Sequence, residues 1–311
     1  MTPLLDVAGL TVSLPDGTRL VHRLDLALRA GERVALVGES GSGKSVAARA
    51  VMRLDDGLRL GGSVRLAGRE LLGLTERQMQ GVRGGGISMV MQDPLTALNP
   101  VLPVGVQVAE PLRIRGVPKR AARREAIEML DRLGVPRAAE RADAYPHEFS
   151  GGMRQRVVLA AALIAQPSVL IADEPTTALD VRVQEQVLSL IEEFSRDLRL
   201  AVLLITHDLG IVAGFADRVA VMYAGRLVEV GDVDAFYAGP RHPYGRALLA
   251  SVPRVDRDPG RRLDVIGGVP ATPKALPSGC AFHPRCHRAE AVCAERVPEL
   301  KGQVACHLVT S

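Results

Sequence analysis

Residues 38–45, Gly38-Glu39-Ser40-Gly41-Ser42-Gly43-Lys44-Ser45, constrain this chain more than any other stretch, because they fit the pattern G-x-x-x-x-G-K-S. Glycines let the backbone curl until successive N–H groups converge on phosphate oxygens, which bulkier residues would hold at a distance. In such a loop Lys44 reaches the outer phosphates and Ser45 ligates Mg²⁺. The flanks agree with that chemistry: residues 33–37 form a short apolar run that reads as a buried strand, and residues 46–52 hold no helix breaker. A chance Gly/Ser turn before a lysine would not require a strand before it and a helix after it. A nucleoside triphosphate with Mg²⁺ is the ligand this order implies.

The rest of the chain reads as strands alternating with helices. Residues 4–14 and 20–28 alternate apolar and polar side chains around the turn Pro15-Asp16-Gly17, an antiparallel hairpin signal. Further strands are expected at 62–68, 87–91, 169–172 and 200–206, and a strand pair over 217–230 turned at Ala224-Gly225. Residues 101–141 turn helical, with Ala122, Ala126, Met129, Leu130 and Leu133 on one face. Ser150 is an acceptable N-cap for a helix running to about Gln166, and 181–198 is another helix. The expected class is α/β, with a mostly parallel core sheet joined by right-handed crossovers. Beyond Gly239 repeated prolines break the chain, which predicts a small irregular C-terminal unit.

Three more elements carry chemistry. The apolar run 169–172 ends in Asp173-Glu174, where one carboxylate can serve Mg²⁺ and the next can polarise a water, since neighbouring side chains on a strand point to different faces. Ser150-Gly151-Gly152 opens a helix, an anion-binding arrangement in its own right. Gln92 and His207 each follow an expected strand, where a sheet edge would present them.

Taken together and in this order, these motifs resemble an ATP-binding cassette (ABC) ATPase over residues 4–239. Gly38 to Ser45 match the Walker A loop, Gln92 the Q-loop, Ser150 to Gln155 the signature, Asp173-Glu174 the Walker B pair, Ala178-Leu179-Asp180 the D-loop and His207 the switch histidine. The resemblance implies a mixed core sheet, an antiparallel β subdomain and a helical subdomain at about 97–165. It also implies a head-to-tail sandwich in which one ATP lies between two subunits. ATP would touch Gly38, Ser40, Gly41, Ser42, Gly43, Lys44, Ser45 and Val46 of one chain, with Ser150, Gly151, Gly152, Gln155 and Asp180 completing the site in trans. Ser45, Gln92 and Asp173 would surround Mg²⁺, Glu174 would act as general base, and His207 and Gln92 would orient the γ-phosphate. Two positions depart from the pattern. Residues 14–19 offer no aromatic ring to stack on adenine, which leaves aliphatic groups and Arg19, and Val46 stands where many cassettes carry a second hydroxyl.

All four cysteines, Cys280, Cys286, Cys293 and Cys306, fall in the final segment, spaced C-x5-C-x6-C-x12-C. Clustering in a Pro-rich stretch suggests a metal or cluster staple, while a reducing compartment disfavours disulfides. The spacing alone identifies no metal, and His283, His287 and His307 could also serve zinc. Residues 239–251, 276–286 and 306–308, with Tyr145 to Ser150, resemble the ATPase subunits of bacterial dipeptide and oligopeptide importers, so the likeness covers nearly the whole chain as 1–239 plus a 240–311 extension. That group implies a [4Fe–4S] cluster on the four cysteines, with structural zinc as the alternative.

The implied function is ATP hydrolysis that drives peptide uptake, with nickel or another small solute as the alternative cargo. The implied partners are a second ABC ATPase subunit, two membrane permease subunits and an extracytoplasmic peptide-binding protein. Composition agrees with peripheral attachment at the cytoplasmic face of the membrane: the longest apolar run, residues 157–165, is well short of the ~20 residues that span a bilayer. No nucleic-acid partner is expected, since 39 basic residues are interspersed with 35 acidic ones and the chain has no Trp, five Phe and four Tyr for stacking. A soluble cassette acting on nucleic acid or the ribosome is the rival class; such proteins usually carry paired cassettes or a long coiled-coil insertion, and this sequence has neither.

Overall fold

The computed structural model describes residues 2–176, 179–252 and 265–309. In chain order the strands are β1 (Leu5–Ser13), β2 (Arg19–Leu28), β3 (Arg33–Val37), β4 (Arg59–Leu66), β5 (Arg69–Glu70), β6 (Ile87–Val90), β7 (Val169–Asp173), β8 (Ala201–Thr206), β9 (Arg218–Tyr223) and β10 (Arg226–Asp232). The helices are α1 (Lys44–Met52), α2 (Glu76–Val82), α3 (Pro94–Ala97), α4 (Val104–Ile114), α5 (Lys119–Arg132), α6 (Ala138–Arg141), α7 (Gly151–Leu163), α8 (Val181–Leu198), α9 (Leu209–Phe215), α10 (Val233–Ala238), α11 (Pro243–Ala250) and α12 (Ala291–Glu295). They form two compact units, one of Met1–Leu4, Arg29–Glu32 and Leu74–Leu203, the other of Leu5–Leu28, Arg33–Gly73 and Leu204–Ser311.

In the first unit β6 and β7 run parallel, from Ile87 opposite Val169 to Val90 opposite Ala172. Every residue of β7 is buried, as expected of a parallel strand covered on both faces. Helices α4, α5 and α7 pack together beside them. Helix α5 buries Ala122, Ala126 and Leu130 at four-residue spacing, so small side chains let the neighbouring helices come close while the Arg and Glu face stays wet. Ser150 caps α7, its hydroxyl accepting the Met153 N–H at 3.4 Å, and Asp180 caps α8 by accepting the Val183 N–H at 3.0 Å. Helix α2 is absent from the sequence expectations although its start is legible: Thr75 and Gln78 form a reciprocal capping box.

The second unit is built on strands in the order β5-β4-β1-β2-β10-β9-β3. Strand β1 is antiparallel to β2 and β4, and β10 is antiparallel to β9, which itself runs parallel to β3. Val37 lies opposite Val221, so the loop that leaves β3 and the residues that end β9 share one sheet edge. Strand β4 covers 59–66, where sequence alone suggests 62–68: Gly61 and Gly62 lie inside the strand, and a Cβ on Gly62 would stand 2.4 Å from the Gly9 carbonyl oxygen. The backbone of β1 comes too close there for any side chain.

The described residues of the C-terminal segment are tied to the sheet at several points. The buried Glu229 carboxylate of β10 accepts the N–H groups of Arg241 and His242, and His242 Nδ1 caps α11 by accepting the Tyr244 N–H at 3.0 Å. Tyr223, Tyr244 and Phe282 meet edge-on or tilted, with centroids 4.6 to 5.3 Å apart, which anchors residues near 282 on β9. Among the described residues no helix is long and apolar enough to cross a membrane.

Candidate functional site

The phosphate loop lies wholly in the second unit. Gly38 cannot carry a side chain, since a Cβ there would stand 2.2 Å from the Met222 carbonyl oxygen. Gly41 and Gly43 take φ of 79° and 101°, in the left-handed region where glycine is cheapest. No side chain caps α1, so its first N–H groups face the loop, the arrangement that binds anions at helix starts. Lys44 is buried and donates to the carbonyl oxygens of Gly38 at 2.8 Å and Glu39 at 3.0 Å. The loop is thus pre-curled about its own cation. Ser42 is buried, Ser40 and Gly41 are exposed, and Ser45 and Val46 are half-buried in the first turn of α1. His207 follows β8 and is exposed; next to it Asp208 caps α9 through the Gly210 N–H at 2.7 Å.

Beside the loop stands His22, with Arg19 and Arg226 acting on it. His22 donates its backbone N–H to the Gly225 carbonyl, and Gly225 in turn donates to the Ser42 carbonyl. Burial, then Arg226 and Arg19, push the His22 imidazole down to about 4, so it is neutral at pH 7. Arg19, which the sequence offers in place of the missing aromatic residue, is one of these two cations.

The first unit holds the paired carboxylates. Asp173 ends β7 and is buried, while Glu174 is half-buried. Alternation along a strand is the expected device for separating the two. The structure uses a different one: Glu174 lies past the strand end with φ of +47°, a left-handed conformation that costs a non-glycine residue roughly 1 kcal/mol or more. Gln92, just after β6, donates its side-chain N–H to Glu174 Oε2 at 2.8 Å. Parallel pairing of β6 and β7 explains the meeting, because both residues follow register-matched strand ends. At the start of α7 Ser150 and Gly151 are exposed and Gly152 is tight against Val183, where an added Cβ would lie 2.6 Å from Cγ1. Gln155 is buried with its side-chain nitrogen unpartnered, while Ser150 and Gly151 are exposed. Ala178 lies outside the described residues.

Cys280, Cys286, Cys293 and Cys306 line one small cavity of about 20 Å³, together with His242, His283 and His307. The Cys280 N–H donates to the Cys293 carbonyl at 2.7 Å. Burial, reinforced by the neighbouring cysteines, pushes the thiols of Cys280 and Cys286 up, so a cation would be needed to hold them as thiolates. Among the described residues, however, no three or more His, Cys, Asp or Glu side chains are arranged to hold a metal ion. The donor set converges without forming a coordination sphere.

Sequence reasoning misses the residues that hold the loop from outside. Tyr244 Oη accepts the Glu39 N–H at 2.8 Å, and Arg285 grips the Glu39 carboxylate. No local spacing marks them, since Arg285 is 246 residues away from its partner.

Comparison with known proteins identifies the family. Residues 21–177 match the ABC transporter family, and residues 228–293 match the oligopeptide/dipeptide transporter C-terminal region. The chain is 49% identical to the oligopeptide transport ATP-binding protein OppD of Salmonella typhimurium, over 95% of this chain and 89% of that protein. It is 47% identical to a Brucella melitensis protein described as a putative peptide import ATP-binding protein, over 96% of this chain and 93% of that one. Among solved structures it resembles cbiO1 from Clostridium perfringens, part of the ABC transporter complex cbiONQ, at TM-score 0.67 and 26% identity, over 76% of this chain and 92% of that one. It also resembles the bacterial ABC transporter cassette MJ0796, solved as a dimer, at TM-score 0.66 and 26% identity, over 74% and 98% of the two chains. Two family matches that together run from residue 21 to 293, with relatives near half identical over almost the whole chain, decide the matter: the chain belongs to the ABC transporter family, as an ATPase subunit of the oligopeptide/dipeptide importer type.

Proposed function

We propose that this ABC ATPase hydrolyses ATP between its own phosphate loop and the signature of a second cassette, and that hydrolysis powers uptake of dipeptides or oligopeptides through two membrane permease subunits. An extracytoplasmic peptide-binding protein would deliver the cargo, and the chain would sit peripherally at the cytoplasmic face. The observation that carries the reading is the 2.8 Å hydrogen bond from Gln92 to Glu174, which aims a carboxylate oxygen with a group able to sense its state. In the reaction Gly38 to Gly43 wrap the phosphates with backbone N–H groups, Lys44 moves from its loop carbonyls to phosphate oxygens, and Val46 extends the first turn of α1. Glu174 takes a proton from the attacking water, and Gln92 and His207 orient the γ-phosphate end. Ser150, Gly151, Gly152 and Gln155, with Asp180 at the cap of α8, would close the partner's site. Ser45, Gln92 and Asp173 would hold Mg²⁺, which would supply charge neutralisation when bound.

The permease would dock on the first unit, where Met91, Leu95, Val101, Leu102 and Ile114 are exposed. In the same unit a groove of about 790 Å³ shares Ile114 with that set and is otherwise lined by Gln80, Arg83, Glu110, Pro111 and Arg115 among others. An exposed apolar surface of this kind marks a protein contact. Since α4 follows Gln92 in the chain, docking and γ-phosphate sensing share one segment.

Cys280, Cys286, Cys293 and Cys306 are proposed as ligands of a [4Fe–4S] cluster, which would staple the C-terminal segment. Four soft sulfur donors lining one cavity support this, and the cavity's small size, near that of one water, favours a single zinc ion as the second reading. Co-purification of the chain with two hydrophobic permease subunits, and peptide uptake that is lost on its deletion and restored by its gene, tests the transport reading. Loss of nickel uptake with peptide uptake intact would overturn it.

A further inference from the structure

Glu39 is the second residue of the phosphate loop and is held from three directions. Its carbonyl accepts from Lys44, its N–H donates to Tyr244 Oη, and its carboxylate takes both terminal nitrogens of Arg285 at 2.6 and 2.9 Å. The Arg285 side chain is only 3% exposed. All five of its donors are used: Nε reaches the Gly267 carbonyl at 2.9 Å, one terminal nitrogen also meets Tyr223 Oη at 3.3 Å, and the other meets the Ile266 carbonyl at 3.2 Å. Tyr223 and Phe282 flank the guanidinium, each ring centre 5.9 Å away. A planar fork that fits this socket cannot be replaced by lysine.

We infer that Arg285 is a positioning residue for ATP binding: it clamps Glu39 so that the C-terminal segment holds the phosphate loop in its nucleotide-ready curl. The inference rests on the reading of Gly38 to Ser45 as the ATP site. Lys44 and the Ser42 N–H, which donates to the Glu39 carbonyl at 3.2 Å, restrain the inner turn of the loop, and a fixed Glu39 removes more of the freedom its glycines allow before ATP arrives. The same clamp gives the C-terminal segment a route to the nucleotide: Arg285 closes the short turn His283–Arg285 and immediately precedes Cys286. Arrangement of the cysteines and aim of the guanidinium therefore vary together.

The clamp acts on ground-state binding and does not touch the reacting atoms, so its loss should appear in KM. In the full transporter reconstituted with its permease, Arg285→Lys and Glu39→Gln are each expected to raise KM for ATP about tenfold, the scale of a lost hydrogen bond to a charged group, with kcat changed by less than about twofold. Titration of the full chain with a non-hydrolysable ATP analogue should show the same weakening. The double variant should be no weaker than the worse single variant, because both remove one interaction. Unchanged KM in Glu39→Gln, additive losses in the double variant, or a fall in kcat with KM intact would each overturn the clamp. If Arg285→Lys does not fold, Glu39→Gln alone decides. Lys44→Ala serves as the reference: lost nucleotide binding there with normal KM in the Arg285 and Glu39 variants refutes the clamp only, whereas normal binding in Lys44→Ala refutes the ATP site itself.

Discussion

Replacing Glu174 by Gln isolates the proton-accepting role proposed for this side chain. Gln92 donates to Glu174 Oε2 at 2.8 Å, and the carbonyl oxygen of the introduced amide could accept the same N–H, so shape and hydrogen bond survive. Glu174 also holds a left-handed backbone conformation, φ +47°, which Gln tolerates as well as Glu does. What disappears is the negative charge and the capacity to take a proton from water. Loss of a general base slows turnover by roughly 10² to 10⁴, or about 2.7 to 5.5 kcal/mol of barrier. The assay is phosphate release by the reconstituted transporter, paired with equilibrium binding of ATP. Binding should stay within about threefold of the unsubstituted protein, an allowance of under about 1 kcal/mol. Turnover within a factor of a few, with ATP bound normally, would remove Glu174 from the mechanism. A parallel loss of binding and turnover would show instead that the charge serves the nucleotide site structurally.

Three further outcomes follow from other parts of the molecule. Burial pushes the His242 imidazole down to about 4, so the unfolded chain binds more protons between pH 6.5 and 4; stability should fall as pH drops through that window, by roughly 3 kcal/mol in total. Denaturant titrations of His242→Gln should lose that pH dependence, and an unchanged slope would refute its origin in this group. Gly38→Ala would drive a methyl group into the Met222 carbonyl oxygen, 2.2 Å from the ideal Cβ position, and should abolish nucleotide binding by displacing the loop, whereas Gly73→Ala, with open space around it, should leave binding intact. Iron, sulfide and zinc analysis of anaerobically purified protein should find one metal centre per chain; loss of that metal in Cys286→Ser supports the cysteine assignment, and a metal-free native protein overturns it.

Sequence and structure agree most closely where local rules decide the outcome. Helix α8 covers Val181–Leu198 as its spacing indicates, and Ser150 and Asp180 cap helices through their own side chains. Strands β7 and β8 are apolar enough to be recognised without partners. Helices α2, α9, α10 and α11 are less legible, being short and amphipathic only in the context of what they cover. Each nevertheless begins at a polar cap, Thr75, Asp208, Asp232 or His242, which is the signal a reading of periodicity alone passes over.

The eight residues from Gly38 to Ser45 led by themselves to the expectation of a cradled phosphate, because that chemistry depends on backbone N–H groups and glycine freedom, both of which are local properties. Their order with Gln92, Ser150, Asp173-Glu174 and His207 likewise settled the family. Tertiary structure decided how the loop is held and how the carboxylates diverge. Arg285 reaches Glu39 across 246 residues, Gln92 finds Glu174 across 82, and four cysteines line one cavity only because β9, β10 and α11 carry the C-terminal segment into place. Such pairings depend on closing long loops through many cooperating contacts, and no spacing along the chain encodes them.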